Sequence, residues 1–142
     1  MRKVIIDTDP GIGSLGADID DGLAIVMALN SPELEVLGLT VVNGNVPCEE
    51  GVINALNLLQ VMGRSDVPVY RGAQRPLITD MQEIRNTFSA ILKRVGQQKR
   101  LPLQKSDVGL KPQPEHAIDF IINEVHRFPG DVTMICIGPL TN

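Results

Sequence analysis

Five aspartates fall between residues 7 and 21, in Asp7-Thr8-Asp9-Pro10-Gly11 and in Asp18-Ile19-Asp20-Asp21-Gly22. Carboxylates crowded in this way repel and raise one another's pKa, so such a cluster is held either by a hard divalent cation or by positive side chains. No Lys or Arg occurs between Lys3 and Arg64. The local sequence therefore points to a metal.

The elements that must carry these acids can be read from the pattern of apolar residues. Val4-Ile5-Ile6 is a β-branched run that ends at Asp7-Thr8-Asp9-Pro10-Gly11, which reads as a buried strand delivering its carboxylates to a loop at its carboxyl end. Asp20 or Asp21 is placed to cap a helix with the body Gly22-Leu23-Ala24-Ile25-Val26-Met27-Ala28-Leu29. Leu34 to Val42 is a nearly continuous apolar run, as expected of a parallel strand covered on both faces, and it ends in the polar turn Asn43-Gly44-Asn45-Val46-Pro47. A second helix carries Val52, Ala55, Leu56, Leu59 and Met62 and closes at Gly63, and Val67-Pro68-Val69-Tyr70 is a short third strand. An amphipathic helix is expected on Ile84, Phe88, Ile91, Leu92 and Val95, followed by a long loop from Gly96 to Pro114. Pro114-Glu115-His116 opens a further helix, and Asp131 to Gly138 is a fourth strand, taken to be central in its sheet.

Strands alternating with helices predict α/β architecture: an open, mostly parallel sheet with helices on both faces and Rossmann-like topology, formed by a single domain over residues 1–142. Ligands of such sheets bind outside the carboxyl ends of the strands. The acidic loop, Asn43 to Asn45 and the turn after Ile137 all belong to that edge.

Composition narrows the function classes. The 142 residues are 43% hydrophobic and 21% charged, enough apolar material for a real core. A net charge of -4 argues against nucleic acid as a partner, since phosphate binding calls for a basic face. Met1-Arg2-Lys3-Val4 runs straight into the first strand and no apolar run is long enough to span a membrane, so a cytoplasmic protein without a membrane partner is expected. Cys48 and Cys136 lack C-x-x-C spacing and read as free buried thiols.

Two motif readings compete with the metal loop and are weaker. Gly11-Ile12-Gly13-Ser14-Leu15-Gly16 matches G-x-G-x-x-G after a strand, but Asp7 and Asp9 stand where a dinucleotide pyrophosphate needs neutral backbone, and the second strand ends in Asn43 rather than in an acid for the ribose. A haloacid-dehalogenase-type phosphotransferase also ends a strand in Asp-x-Asp and binds magnesium, with Thr40 as a possible phosphate-binding hydroxyl. Here, however, Pro10-Gly11 is followed by more acids in place of the usual Thr or Val.

A third match extends along the chain. Asp7-Thr8-Asp9-Pro10-Gly11 with Asp20-Asp21-Gly22-Leu23-Ala24 resembles the signature of the inosine-uridine preferring nucleoside hydrolases. Leu39 to Val46, Val67 to Ala73 with Pro76-Leu77, Pro114 to Ile121 and Gly138-Pro139-Leu140-Thr141-Asn142 resemble further motifs of that family in the same order. The resemblance implies a calcium-dependent N-ribohydrolase of nucleoside metabolism, acting in purine and pyrimidine salvage and commonly a homo-oligomer. Carried over by position, Asp9 and Asp21 would bind Ca2+ through their carboxylates and Ile137 through its backbone carbonyl. Asp9 would also be the catalytic base, Asp20 and Asn45 would hold the hydroxyls of a ribonucleoside substrate, and Asp7 would support the loop.

The chain departs from the family pattern in three places. Gly13 to Ile19 is inserted before Asp20, where the family signature runs without interruption, and Lys105 stands where the family has a substrate-contacting histidine. Family members are also considerably longer, so the resemblance covers about their first half and leaves out a last calcium-binding Asp, sugar-gripping Glu and Asn residues, and the His proposed to protonate the base. His116 and His126 are expected in a helix away from the acidic edge and do not replace it. Two expectations follow: an N-ribohydrolase whose site needs more polypeptide, or a truncated non-catalytic relative that binds calcium or a protein partner. A half-sheet is expected to expose apolar surface and to associate through it.

Overall fold

In the computed structural model, residues 1–14, 17–78, 86–87, 90–91 and 109–142 are described. Most of the expected helix over residues 84–95, most of the loop after it and Lys105 lie outside the described residues, and the four described positions of that helix, Asn86, Thr87, Ala90 and Ile91, are helical. Among the described residues these elements follow one another: β1 (Arg2–Thr8), α1 (Asp20–Leu29), β2 (Leu34–Val41), α2 (Cys48–Val61), β3 (Val69–Arg71), α3 (Ala117–Arg127) and β4 (Val132–Cys136). All pairings are parallel and the strand order is β3-β2-β1-β4.

Side chains alternate across the sheet, and the helices divide between its faces accordingly. Ile6, Leu39, Val41 and Val69 pack with Ile25 and Ala28 of α1 and with Val52, Ala55, Leu56 and Leu59 of α2. Ile5, Leu37, Tyr70, Val132 and Met134 face the other way, towards Ala117, Phe120 and Ile121 of α3. The rings of Tyr70 and Phe120 stack 3.8 Å apart at 11°, above Gly38, whose missing side chain makes room for the Phe120 ring.

The unbroken apolar run in β2 conceals an irregularity. Val4 pairs with Val36 but Ile5 pairs with Gly38, so Leu37 is an extra residue in a bulge. Beyond it Leu39 and Val41 face α1 and α2, and Thr40 turns to the α3 side, beside Asp7.

Three expectations need correction. Among the described strands β4 lies at an edge of the sheet rather than at its centre, and Cys136 at its end is exposed. Cys48 is buried as expected, its Sγ 3.2 Å from the Val41 carbonyl oxygen, and burial pushes its thiol pKa up. Neither aspartate caps α1: the residue before the helix is Ile19, with no side-chain cap, and Asp20 and Asp21 occupy the first turn, where negative charge still favours the positive helix end. Among the described residues no helix is long and apolar enough to cross a membrane.

Candidate functional site

The chain runs outward from β1 to β2 and β3, then returns to the other side of β1 as β4. The crevice where strand order reverses is therefore at the carboxyl ends of β1 and β4, the place where open α/β sheets bind ligands. Asp7, Thr8 and Asp9 leave β1 at that point, and the chain after β4 is tied to it, Ile137 and Gly138 both donating backbone N–H to the Asp7 carbonyl at 2.9 and 3.2 Å.

Strand alternation sends Asp7 and Thr8 to opposite faces, and each fastens a different part of the site. Thr8, fully buried, donates its hydroxyl to Asp21 Oδ1 at 2.5 Å, and the Asp9 backbone N–H donates to the same oxygen at 3.2 Å. On the opposite face Asp7 Oδ1 accepts from Thr40 Oγ1 at 2.6 Å and from Asn142 Nδ2 at 2.7 Å. Asn142 Oδ1 also accepts the Ala73 N–H at 2.7 Å, so one amide joins the loop after β3 to the strand that carries the acids. Asp7 is a support for the loop.

Asp9 is 7% exposed and Asp21 5%. Asp9 Oδ2 accepts the backbone N–H of Asn45 at 2.5 Å. Glycines wall the carboxylate on both sides: a Cβ at Gly44 would overlap Oδ2, and one at Gly138 would lie 2.9 Å from Oδ1. Burial pushes the Asp9 pKa up, the Asn45 N–H counters it, and the charges of Asp21 and Asp20 add to the rise.

The inserted passage leaves this pair together. Gly11 O accepts from Ser14 N at 2.9 Å and Ser14 O from Ala17 N at 3.2 Å, while a Cβ on Gly11 would touch Ala17 Cβ at 2.5 Å and Asp18 O at 2.7 Å. Ser14, Ala17 and Asp18 of the insertion thus gather about Gly11. Ile12 packs against Gly22 in the first turn of α1, and the Asn45 side chain stands beside Gly11.

Asp9, Asp21 and Asn45 are therefore joined by hydrogen bonds. Asp20 is exposed in the first turn of α1, and Ile137, 38% exposed, takes part through its backbone N–H to Asp7. His116, expected away from the acidic edge, instead starts α3 at the carboxyl end of β3, bridged to Arg71, because the helix returns antiparallel to the strands, and its Nδ1 accepts from Ile118 N at 3.3 Å. His126 is in the last turn of α3, at the opposite edge. Sequence reading missed Thr8 as the anchor of Asp21, Thr40 as a partner of Asp7, and Gly44 and Gly138 as walls. Only Thr8, between two aspartates, carried a local signal.

The fit to a divalent cation can be judged from the donors. Asp9 and Asp21 offer buried carboxylate oxygens with no positive side chain paired to them among the described residues, which suits a hard cation. Their number is smaller than the six to eight oxygens calcium takes, and among the described residues no group of three or more His, Cys, Asp or Glu gathers to hold a metal. The pair fits such an ion as part of a ligand set.

Asp7 makes a prediction for the metal-free chain. Burial, opposed by the Thr40 and Asn142 hydrogen bonds, raises its pKa above 3.8. The folded state then holds the Asp7 proton more tightly than the unfolded chain does, so this stabilisation is complete below the unfolded pKa and is lost as pH rises through the folded one. Asp7→Asn keeps an acceptor for Thr40 without the ionisation. With a chelator present, urea midpoints of the wild type relative to Asp7→Asn are expected to rise as pH falls through the carboxylate range.

Comparison with known proteins agrees with this arrangement. The family model described as inosine-uridine preferring nucleoside hydrolase matches residues 4–142. A probable uridine nucleosidase of Arabidopsis thaliana is 39% identical over 141 residues, covering 99% of this chain and 40% of the relative. A pyrimidine-specific ribonucleoside hydrolase of Escherichia coli O157:H7 is 33% identical over 151 residues, covering 99% and 40%. Among solved structures, a purine-preferring ribonucleoside hydrolase from Gardnerella vaginalis superposes with a TM-score of 0.75 at 34% identity, over 99% of this chain and 41% of that one. A plant nucleoside hydrolase does so with a TM-score of 0.69 at 37% identity, over 99% and 40%. The chain spans about 40% of the length of these relatives. With the acidic loop, the turn after β2 and the turn after β4 brought to one crevice and the family model matched from Val4 to the last residue, the chain belongs to the inosine-uridine preferring nucleoside hydrolase family.

Proposed function

We propose that this chain carries the water-activating and sugar-holding part of a calcium-dependent N-ribohydrolase, which cleaves the N-glycosidic bond of purine or pyrimidine ribonucleosides to ribose and free base. The observation that carries the proposal is the buried Asp9–Asp21 pair at the switch point of the sheet, joined through the Asp9 N–H and without a paired cation among the described residues. Asp9, Asp21 and the Ile137 carbonyl would hold Ca2+. When bound, the ion orients a water and lowers its pKa.

The chain's own residues then have distinct roles. Departure of the base leaves an oxocarbenium-like sugar, for which a nearby negative charge and a grip on the hydroxyls are the required aids. Asp20 and Asn45 hold ribose hydroxyls. Asp9 takes a proton from the water as the water's oxygen bonds to the anomeric carbon and the carbon–nitrogen bond breaks. The departing base takes up a proton from a donor other than His126, at the opposite edge of the sheet, and His116, whose Nδ1 caps the start of α3.

We place the protein in the cytoplasm and in a homo-oligomer. The support for association is the apolar flank of α3, where Ile118, Ile122 and Val125 are 39, 47 and 41% exposed. A second reading, a non-catalytic relative that binds calcium or a protein partner, is favoured by the small number of acids that converge.

Release of reducing sugar from inosine and uridine, measured with Ca2+ and again with a chelator, separates the two. Calcium-dependent release is expected. A folded, monodisperse chain that binds Ca2+ without turnover would overturn the first reading in favour of the second.

A further inference from the structure

The insertion lengthens the tether between Asp9 and Asp21, and a longer tether left to itself gives its ends more freedom. A set of contacts from α2 opposes this. Ser14 Oγ donates to Glu50 Oε1 at 2.5 Å, and Asn54 Nδ2 donates to the Pro10 carbonyl at 2.9 Å and to Ser14 Oγ at 3.1 Å. Glu50 and Asn54 are one helical turn apart and so share a strip of α2. Asn54 is 3% exposed among apolar neighbours, where an amide is costly unless bonded, and it donates these bonds to the loop. Pro10 also rests on α2, since a Cβ at Gly51 would meet its Cδ at 3.5 Å. The Pro10 carbonyl follows directly on Asp9, so holding it fixes the direction in which Asp9 leaves β1.

We propose that Ser14, Glu50 and Asn54 are positioning residues that clamp the inserted loop to α2 and thereby keep Asp9 against Asp21 and Asn45. The inference rests on the reading of Asp9 and Asp21 as a metal-holding pair, and it deepens that reading. The clamp acts on the Asp9 backbone. Its effect is therefore visible in the metal-free chain as well.

The test is amide hydrogen exchange of the full chain in chelator, read at Asp9 and Asn45, together with calorimetric titration of Ca2+. Asp9 N–H donates to Asp21 and Asn45 N–H to Asp9, so both amides report the geometry of the pair. Ser14→Ala and Asn54→Ala are expected to speed exchange there by about three- to tenfold, the equivalent of one typical hydrogen bond, with Ile6 and Leu39 unchanged. Ca2+ affinity should weaken by about tenfold, as for other residues that orient metal ligands. Ser14→Thr, which keeps the hydroxyl, should restore both. If Asn54→Ala does not fold, Ser14→Ala decides. Unchanged exchange at Asp9 and Asn45, or faster exchange spread equally over β1 and β2, would overturn the clamp. A wild-type chain that binds no Ca2+, with the local change still present in the two variants, would remove the metal reading and uphold the clamp.

Discussion

Asp9→Asn is expected to lower ribonucleoside hydrolysis by about 10² to 10⁴, the range a positioned general base supplies, without destabilising the metal-free fold. The amide has the shape of the carboxylate and retains an oxygen for the Asn45 N–H, so the hydrogen bond at 2.5 Å has a successor. What disappears is a negative charge in a place that disfavours it, through burial and through repulsion by Asp21 and Asp20. Turnover and thermal stability should therefore move apart: sugar release collapses, the melting temperature in chelator stays level or rises, and the rise that Ca2+ brings in the wild type shrinks. A variant that keeps wild-type turnover would show that Asp9 is not the base. A large fall in chelator stability would show that its charge serves the fold.

Gly44→Ala tests the same carboxylate without touching it. The added methyl would overlap Asp9 Oδ2 and lie 2.8 Å from Pro139 Cδ. Asp9 cannot simply turn the other way, since its Oδ1 is already close to Gly138. Displacement should break the hydrogen bond from Asn45 and weaken Ca2+ by about 10- to 100-fold, the usual consequence of disturbing the surroundings of metal ligands. Calorimetric titration measures this directly. An unchanged affinity would mean that Asp9 is not a ligand in its present position.

Much of the fold was legible because it depends on patterns that repeat along the chain. The apolar runs of β1 and β2, the helical spacing from Val52 to Leu59 and the polar turns at the strand ends together specify a parallel sheet with its acids on one edge. Strand order was not legible. A run such as Val132 to Ile137 reads alike at the centre and at an edge, and only pairing with β1 on one side made β4 an edge and exposed Cys136.

Within the site, the types of residue were legible and their partners were not. Asp20 and Asp21 are neighbours of identical chemistry, yet one is exposed and the other is drawn beneath β1 by Thr8, because consecutive residues at a helix start face different directions. Asn142 meets Asp7 across 135 positions of sequence. The two glycines that enclose Asp9 matter for the atoms they lack, and an absent atom leaves no mark in a composition.

The extra residue at Leu37 bears on how this strand can change over generations. Thr40 reaches Asp7 with β2 carrying one residue more than β1 before that point. Losing Leu37 would leave Val36 opposite Val4 and Gly38 opposite Ile5, so the strand would run on without the bulge and with Thr40 still beside Asp7, whereas losing Leu39 with the bulge kept would turn Thr40 to the α1 side and bring Val41 to the acids. A single-residue deletion is thus open to this strand at the bulge and closed to it between the bulge and the acids, even though every side chain involved is hydrophobic or small.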